Sequence, residues 1–192
     1  EKLNEGAFMR QDLLKNIESL LFEHCFFESP HINRLTKLVQ EFSKHLNLSE
    51  NENEDLILLA KYHDIGLVSI SESILNNPEK LGETDFERVK SHSEVGSRIV
   101  HSILEIQSIT SLVLHHHELY NGTGYPSQLS GESIPLIDRI FTIIDAYEVM
   151  TSGRPYQEKI THEQAIKELT YNSGIQFDPD LVNHFIQMKE DE

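Results

Sequence analysis

Ile32-Asn-Arg-Leu35-Thr-Lys-Leu-Val39-Gln-Glu-Phe42-Ser-Lys-His-Leu46 sets apolar residues three and four apart, so that Ile32, Leu35, Val39, Phe42 and Leu46 share one face of an α-helix. The same period returns in Ile140, Ile143, Ile144 and Tyr147. No run alternates convincingly with a period of two, as a half-buried strand would. The chain is therefore expected to be all-α.

Several helix starts are marked. Ser49-x-x-Glu52, Thr84-x-x-Glu87 and Thr161-x-x-Gln164 are capping-box patterns, in which a side-chain oxygen and a reciprocal acid or amide satisfy orphan amides. Asp178-Pro179 reads as an N-cap and first helical residue, and Gly66 and Gly174 stand where helices can end. Helices are predicted near 7–24, 31–46, 51–65, 72–76, 84–104, 106–118, 135–150, 162–172 and 179–189, a compact multi-helix bundle. Residues 119–134, rich in Gly, Ser, Asn and Pro, are the one long irregular stretch, and such loops in compact domains are often functional. The acidic tail Lys189 to Glu192 reads as a solvated end.

That loop follows His116-His117-Glu118 directly and carries Asn121-Gly122-x-Gly124-Tyr125-Pro126. Taken with His31, His63-Asp64, His92 and Asp145, it supplies a set of nitrogen and oxygen donors that can be read as one metal site. Neutral imidazole suits transition metals, and the two oxygens of an Asp can each hold a different cation. Asp64 is thus the candidate bridge of a metal pair, an arrangement that serves phosphoryl transfer. A structural zinc site would more often use thiolates at short spacing, and Cys25 is the single cysteine. His24, His45, His101, His162 and His184 fit no motif and read as helix-face residues. His115 falls outside the register that Tyr125 sets for His116 and His117. Glu118 is expected to orient a metal-bound imidazole, and Arg34 is either a surface charge or a similar partner.

Composition narrows the partners. At 192 residues the chain can form one domain burying roughly 70% of the surface its unfolded form exposes. Sixteen basic residues against thirty-two acidic ones give a formal charge of −16, which opposes a nucleic-acid duplex or an anionic membrane as partner. A small phosphate ester remains possible, because a metal pair reverses the field locally. The lone cysteine excludes an internal disulfide and fits the cytoplasm. There is no membrane-length apolar run and no signal-peptide pattern. Starting at Glu1 rather than Met, the segment reads as a piece of a longer protein, such as the cytoplasmic part of a sensor.

In order along the chain stand His31-x-x-Arg34, His63-Asp64-Ile65-Gly66, His92-x-x-x-Gly96, His116-His117-Glu118 through Gly124-Tyr125-Pro126, Asp145-Ala146-Tyr147, and Met150-Thr151-Ser152-x-Arg154-Pro155-Tyr156. This succession closely resembles the HD-GYP family over about residues 27–188, and Gln176-Phe177-Asp178-Pro179 is similar to that family's C-terminal signature. The resemblance implies an HD-domain bundle with a metal centre in its core and a long GYP loop, spanning 27–192 after a leading helix or linker at 1–26. It implies a bacterial signalling phosphodiesterase that opens cyclic di-GMP, or a related cyclic dinucleotide, to the linear dinucleotide by attack of a hydroxide bridging two iron or manganese ions. His31, His63, Asp64, His92, His116, His117 and Asp145 would then be the metal ligands, with Asp64 bridging and catalytic. Gly122, Gly124 and Tyr125 would lie beside the substrate or a partner signalling domain. Arg154 would meet a substrate phosphate, as its planar cationic fork suits.

Three positions depart from the family's pattern. Leu67 stands where relatives often carry Lys near the scissile phosphate, and Gln157 stands where another basic residue is common. Phe27 replaces the Glu that members with a third metal use, with Glu28 one place off, so two metals and a linear product are expected. The rival reading is a binding module that keeps the metal site and holds the nucleotide without turning it over. A generic HD phosphohydrolase of mononucleotides fits the Gly124-Tyr125-Pro126 block less well.

Overall fold

The first apolar stripe forms α1 (Ser29–His45), which buries Leu35, Val39 and Phe42 completely and ends on Lys44 and His45, cations suited to a helix C-terminus. This computed structural model describes residues 29–75, 77, 81–153 and 158–191, together with positions 16 and 19. The predicted helix 7–24 otherwise lies outside the described residues, as do Cys25, Phe27, Glu28, Arg154 and Gln157.

After a turn through Asn47, α2 (Glu50–Tyr62) starts on the predicted capping box: Glu52 N–H donates to Ser49 Oγ, and Ser49 N–H donates to Glu52 Oε2 at 2.8 Å. A 3-10 turn at Ile65–Ser69 and the short α3 (Glu72–Leu75) follow. Next come α4 (Glu83–Lys90) and α5 (His92–His101), then a 3-10 turn at Gln107–Ile109 leading into α6 (Thr110–His115). Beyond the loop, α7 (Leu136–Ser152), α8 (His162–Tyr171) and α9 (Pro179–Glu190) complete the bundle. Among the described residues there is no strand, only an isolated bridge between Ser173 and Phe177. The all-α expectation holds.

The capping boxes at Ser49 and Thr161 form, and Asp178 Oδ1 accepts from Asp180 N–H at 2.9 Å. The one at Thr84 does not. There α4 begins a residue earlier, behind Gly82, and Glu87 turns outward to Lys90 Nζ at 2.6 Å. The helix predicted over 84–104 also breaks in two at Ser91. Ser91 Oγ donates to Arg88 O at 2.6 Å, Ser93 Oγ donates to Lys90 O at 3.2 Å, and His92 Nδ1 to Val89 O. Three side chains thus compete with the backbone for its own carbonyls, which bends or ends a helix.

The core joins α1, α2, α7 and α9, with Phe42 and Phe185 edge to face at 5.1 Å between ring centroids. Helix α7 runs through its centre and buries Ile137, Ile140, Phe141, Ile143 and Ile144. Phe141 extends this core up to the His63 ring, 4.9 Å away, and so forms the floor of the donor cluster. Among the described residues no helix is long and apolar enough to cross a membrane.

Candidate metal centre

Four of the five histidine donors sit at or just beyond the end or start of a local element, while His31 lies in the first turn of α1. His63 caps α2, its N–H bonded to Leu59 O at 2.8 Å, and Asp64 follows with a backbone (φ −96°, ψ 12°) that leaves the helix for the 3-10 turn. His92 opens α5, and His116 caps α6 with His117 next. Gly66 lets these meet: a β-carbon there would overlap the His92 carbonyl oxygen, so only glycine allows the turn after Asp64 to press on α5.

The structure brings all seven sequence-predicted donors into two adjoining groups, Asp64 with His92, His116 and His117, and His31 with His63 and Asp145. Asp64 joins them. Its Oδ1 lies 3.2 Å from His92 Nε2, while its Oδ2 lies 3.3 Å from His63 Nε2 in the other group. Three Nε2 atoms converge as well, those of His116 and His117 being 3.3 and 3.2 Å from that of His92.

Hydrogen bonding fixes which nitrogens face inward. His92 Nδ1 donates to Val89 O and His116 Nδ1 donates to Val113 O, the latter at 2.8 Å, so each Nε2 points a lone pair at its neighbours. Lone pairs packed this closely repel unless a cation lies among them. Burial also pushes the His116 and His117 pKa values down, which keeps these imidazoles neutral. Burial opposes the charge on Asp64, yet His63, His116 and His92 together hold its carboxyl well below the usual range. Asp145 Oδ1 is buried with no hydrogen-bond donor among the described residues. The neutral imidazoles of His116 and His117, an ionised Asp64 with an oxygen toward each group and an unsatisfied buried oxygen on Asp145 suit a pair of metal cations.

Glu148 escaped the sequence reading. Buried on α7, it accepts from His31 Nδ1 at 2.6 Å through Oε2 and from Arg34 Nε at 2.6 Å through Oε1. It orients His31 as carboxylates orient metal-bound imidazoles, and Arg34 supplies the balancing charge. Its signal was positional: three residues after Asp145 and four after Ile144, it falls on the inward face of the helix.

Glu118 does something other than expected. Its two oxygens accept from Ser127 N–H at 2.7 Å and Leu129 N–H at 3.0 Å, so it fastens the loop rather than an imidazole. Gly124 is also explained by contact and not by φ, because a β-carbon there would strike Glu118 Cα and the backbone of Leu119. Gly122 does occupy positive φ, at 80°. This close approach lays the Tyr125 ring 4.9 Å from that of His117, at 32° between planes. Burial first, then the charges of Asp64 and Glu87, raise the Tyr125 pKa, so it remains a neutral phenol. His115 stays outside the donor groups, its ring nitrogens 3.3 Å from Ser111 Oγ and Ser127 Oγ.

The sequence profile of the HD domain family matches residues 15–181. The cyclic di-GMP phosphodiesterase response regulator RpfG of Xanthomonas campestris pv. campestris is 34% identical over 161 residues, covering 83% of this chain and 43% of the relative. The 3'3'-cGAMP-specific phosphodiesterase 2 of Vibrio cholerae is 28% identical over 192 residues, covering 97% of this chain and 37% of the relative. This chain thus spans less than half the length of these curated relatives. The crystal structure of a cyclic GMP-AMP specific phosphodiesterase of Vibrio cholerae superposes with a TM-score of 0.68 at 21% identity, over 93% of this chain and 48% of that one. The shared fold, the profile match and the His63-Asp64 and Gly124-Tyr125-Pro126 blocks agree: this chain belongs to the HD domain family, in its HD-GYP branch.

Proposed function

We propose that this chain is the phosphodiesterase domain of a bacterial signalling protein and opens cyclic di-GMP, or a related cyclic dinucleotide, to the linear dinucleotide. The observation that carries the reading is Asp64, whose two oxygens face the two donor groups. The names of the relatives, which are phosphodiesterases of cyclic di-GMP and of 3'3'-cGAMP, support it. The domain is taken to run over 27–192 behind a leading segment at 1–26, in a cytoplasmic protein whose other signalling domains meet the GYP loop.

His31, His63 and Asp145 would hold one ion and His92, His116 and His117 a second, with Asp64 between them. Iron or manganese suits this nitrogen and oxygen set, which contains no thiolate. When bound, such a pair supplies cationic charge to both the attacking and leaving oxygens of a phosphoryl transfer. The chain's own residues do the rest. His92 and His116 keep their Nε2 atoms aimed by bonding backbone carbonyls through Nδ1, and Glu148 does the same for His31. Tyr125, held as a phenol beside His117, has a hydroxyl that can donate to a phosphate oxygen. Arg154 is the proposed second phosphate contact, and Gly122 and Gly124 shape the loop that carries Tyr125.

A second reading, a nucleotide-binding module without turnover, is favoured by one observation: apolar Leu67, half-buried, occupies the turn directly after Asp64. Incubation of anaerobically purified, metal-analysed protein with cyclic di-GMP and 3'3'-cGAMP, followed by chromatography, separates the two. A linear dinucleotide that disappears with Asp64→Ala is expected. Tight binding with no product would establish the module.

A further inference from the structure

Helix α4 faces the GYP loop across a groove of about 660 Å³ that reaches His117 and is lined by Phe86, Glu87, Lys90 and Tyr125 among others, a size that suits a small-molecule site. Lys90 Nζ lies 2.6 Å from Glu87 Oε1. The same ammonium sits 4.9 Å from the centre of the Phe86 ring and 5.6 Å from that of Tyr125. An ion pair is therefore presented between two aromatic rings, one of which lies against a donor of the metal centre. Phe86 is 48% exposed, although it has the whole α4–loop wall beside it. Neither the metal site nor the phosphate contacts proposed above use α4.

We infer that the Lys90–Glu87 pair, bracketed by Phe86 and Tyr125, is a guanine-reading subsite that sets which cyclic dinucleotide this chain prefers. The inference rests on the reading that the substrate is a cyclic dinucleotide. Guanine presents the acceptor O6 beside the donors N1–H and N2–H on one edge. A carboxylate accepts from both donors at once, in the charge-assisted bidentate manner, and the neighbouring ammonium donates to O6. Adenine offers that carboxylate one donor and an N1 lone pair, which repels it. A site built to hydrogen-bond a substrate discriminates strongly against the analogue that leaves its polar groups unpaired. Aromatic faces on either side accept any base by stacking, so the rings supply affinity and the ion pair supplies selection. Exposed ion pairs are weak, and the Glu87 side chain is 61% exposed, so little opposes the pair's rearrangement around a base.

The test uses the metal-loaded chain and non-hydrolysable phosphorothioate analogues of cyclic di-GMP, 3'3'-cGAMP and cyclic di-AMP, with binding measured by calorimetry. Glu87→Gln is expected to weaken both guanine-containing ligands at least tenfold and cyclic di-AMP less than twofold, with unchanged metal content. Lys90→Met should weaken the same two ligands. An equal loss for all three analogues would mean that the groove senses phosphate charge and not the base, which overturns the inference. So would unchanged binding in both variants. A wild-type chain that binds none of the three overturns the proposed function itself, and the guanine subsite with it.

Discussion

Glu148 Oε2 lies 2.6 Å from His31 Nδ1, in a bond made between the C-terminal part of α7 and the start of α1. The contact anchors His31 within the group it forms with His63 and Asp145, while the Arg34 guanidinium balances the charge of the same carboxylate. Burial opposes the Glu148 charge, and the His31 and Arg34 bonds outweigh it, holding the pKa below its usual value. Removing the charge should thus disturb one half of the centre and spare the other. Glu148→Gln is expected to weaken the ion held by the His31 group by about 10–100-fold. Elemental analysis after dialysis against a graded chelator should find close to one ion per chain where wild type keeps two. Asp64→Ala should lose both together. Retention of two ions by the Asp64 variant would rule out the bridge.

Gly124 offers a test of how the loop is held. Replacement by Ala drives a β-carbon into the Glu118 and Leu119 backbone, and overpacking of this kind costs about 1–3 kcal/mol. The strain falls on the segment that Glu118 fastens at Ser127 and Leu129. A lowered Tm together with faster proteolytic nicking within 119–134 is expected. Nicking at the wild-type rate would place the strain elsewhere.

The adjacent pairs His63-Asp64 and His116-His117 were legible because they are local, the spacing to Gly124-Tyr125-Pro126 fixed the register that left His115 out, and the ordered succession of blocks carried the isolated His31, His92 and Asp145 with them. The stripe from Ile32 to Leu46 likewise announced its own helix. Part of what the sequence could not show depends on contacts between distant segments. His31 and Glu148 are 117 positions apart, and a glutamate on a helix looks the same whether it meets water or an imidazole. Glu118 was correctly singled out but wrongly paired, since the backbone amides it accepts from carry no side-chain signature. The break at Ser91 arose from three side chains reaching back to carbonyls at once, a competition that apolar periodicity does not register.

Asp138 predicts a pH dependence. It is fully buried on α7, its oxygens have no hydrogen-bond partner among the described residues, and burial together with the Glu118 charge raises its pKa well above the usual value. The folded state therefore binds this proton more tightly than the unfolded chain does. Stability from this group is complete below about pH 4 and is lost as pH rises toward the raised folded value. Asp138→Asn cannot titrate, so its stability relative to wild type should climb as pH rises from about 4 toward the raised folded value. Parallel denaturant midpoints for the two proteins across that range would contradict the assignment.

Leu67 is the position at which the proposed enzyme and the rival binding module can be told apart. Its backbone N–H donates to Asp64 O at 2.9 Å, so its side chain leaves the 3-10 turn only three residues from the proposed bridging carboxylate. A leucine can neither donate a proton nor hold a phosphate oxygen. Loss of one charge-assisted contact to the transition state typically costs about 2–4 kcal/mol, or roughly 10²–10³ in rate. Weak but measurable hydrolysis of cyclic di-GMP is therefore expected from the chain as it stands, with a rise of that order in Leu67→Lys. Metal content should be the same in both, because the turn itself is held by backbone bonds and by Ser69 Oγ donating to Gly66 O at 2.8 Å. If wild type is already as fast as the lysine variant, another cation makes the phosphate contact, and Arg154→Met should then abolish turnover while leaving both ions in place.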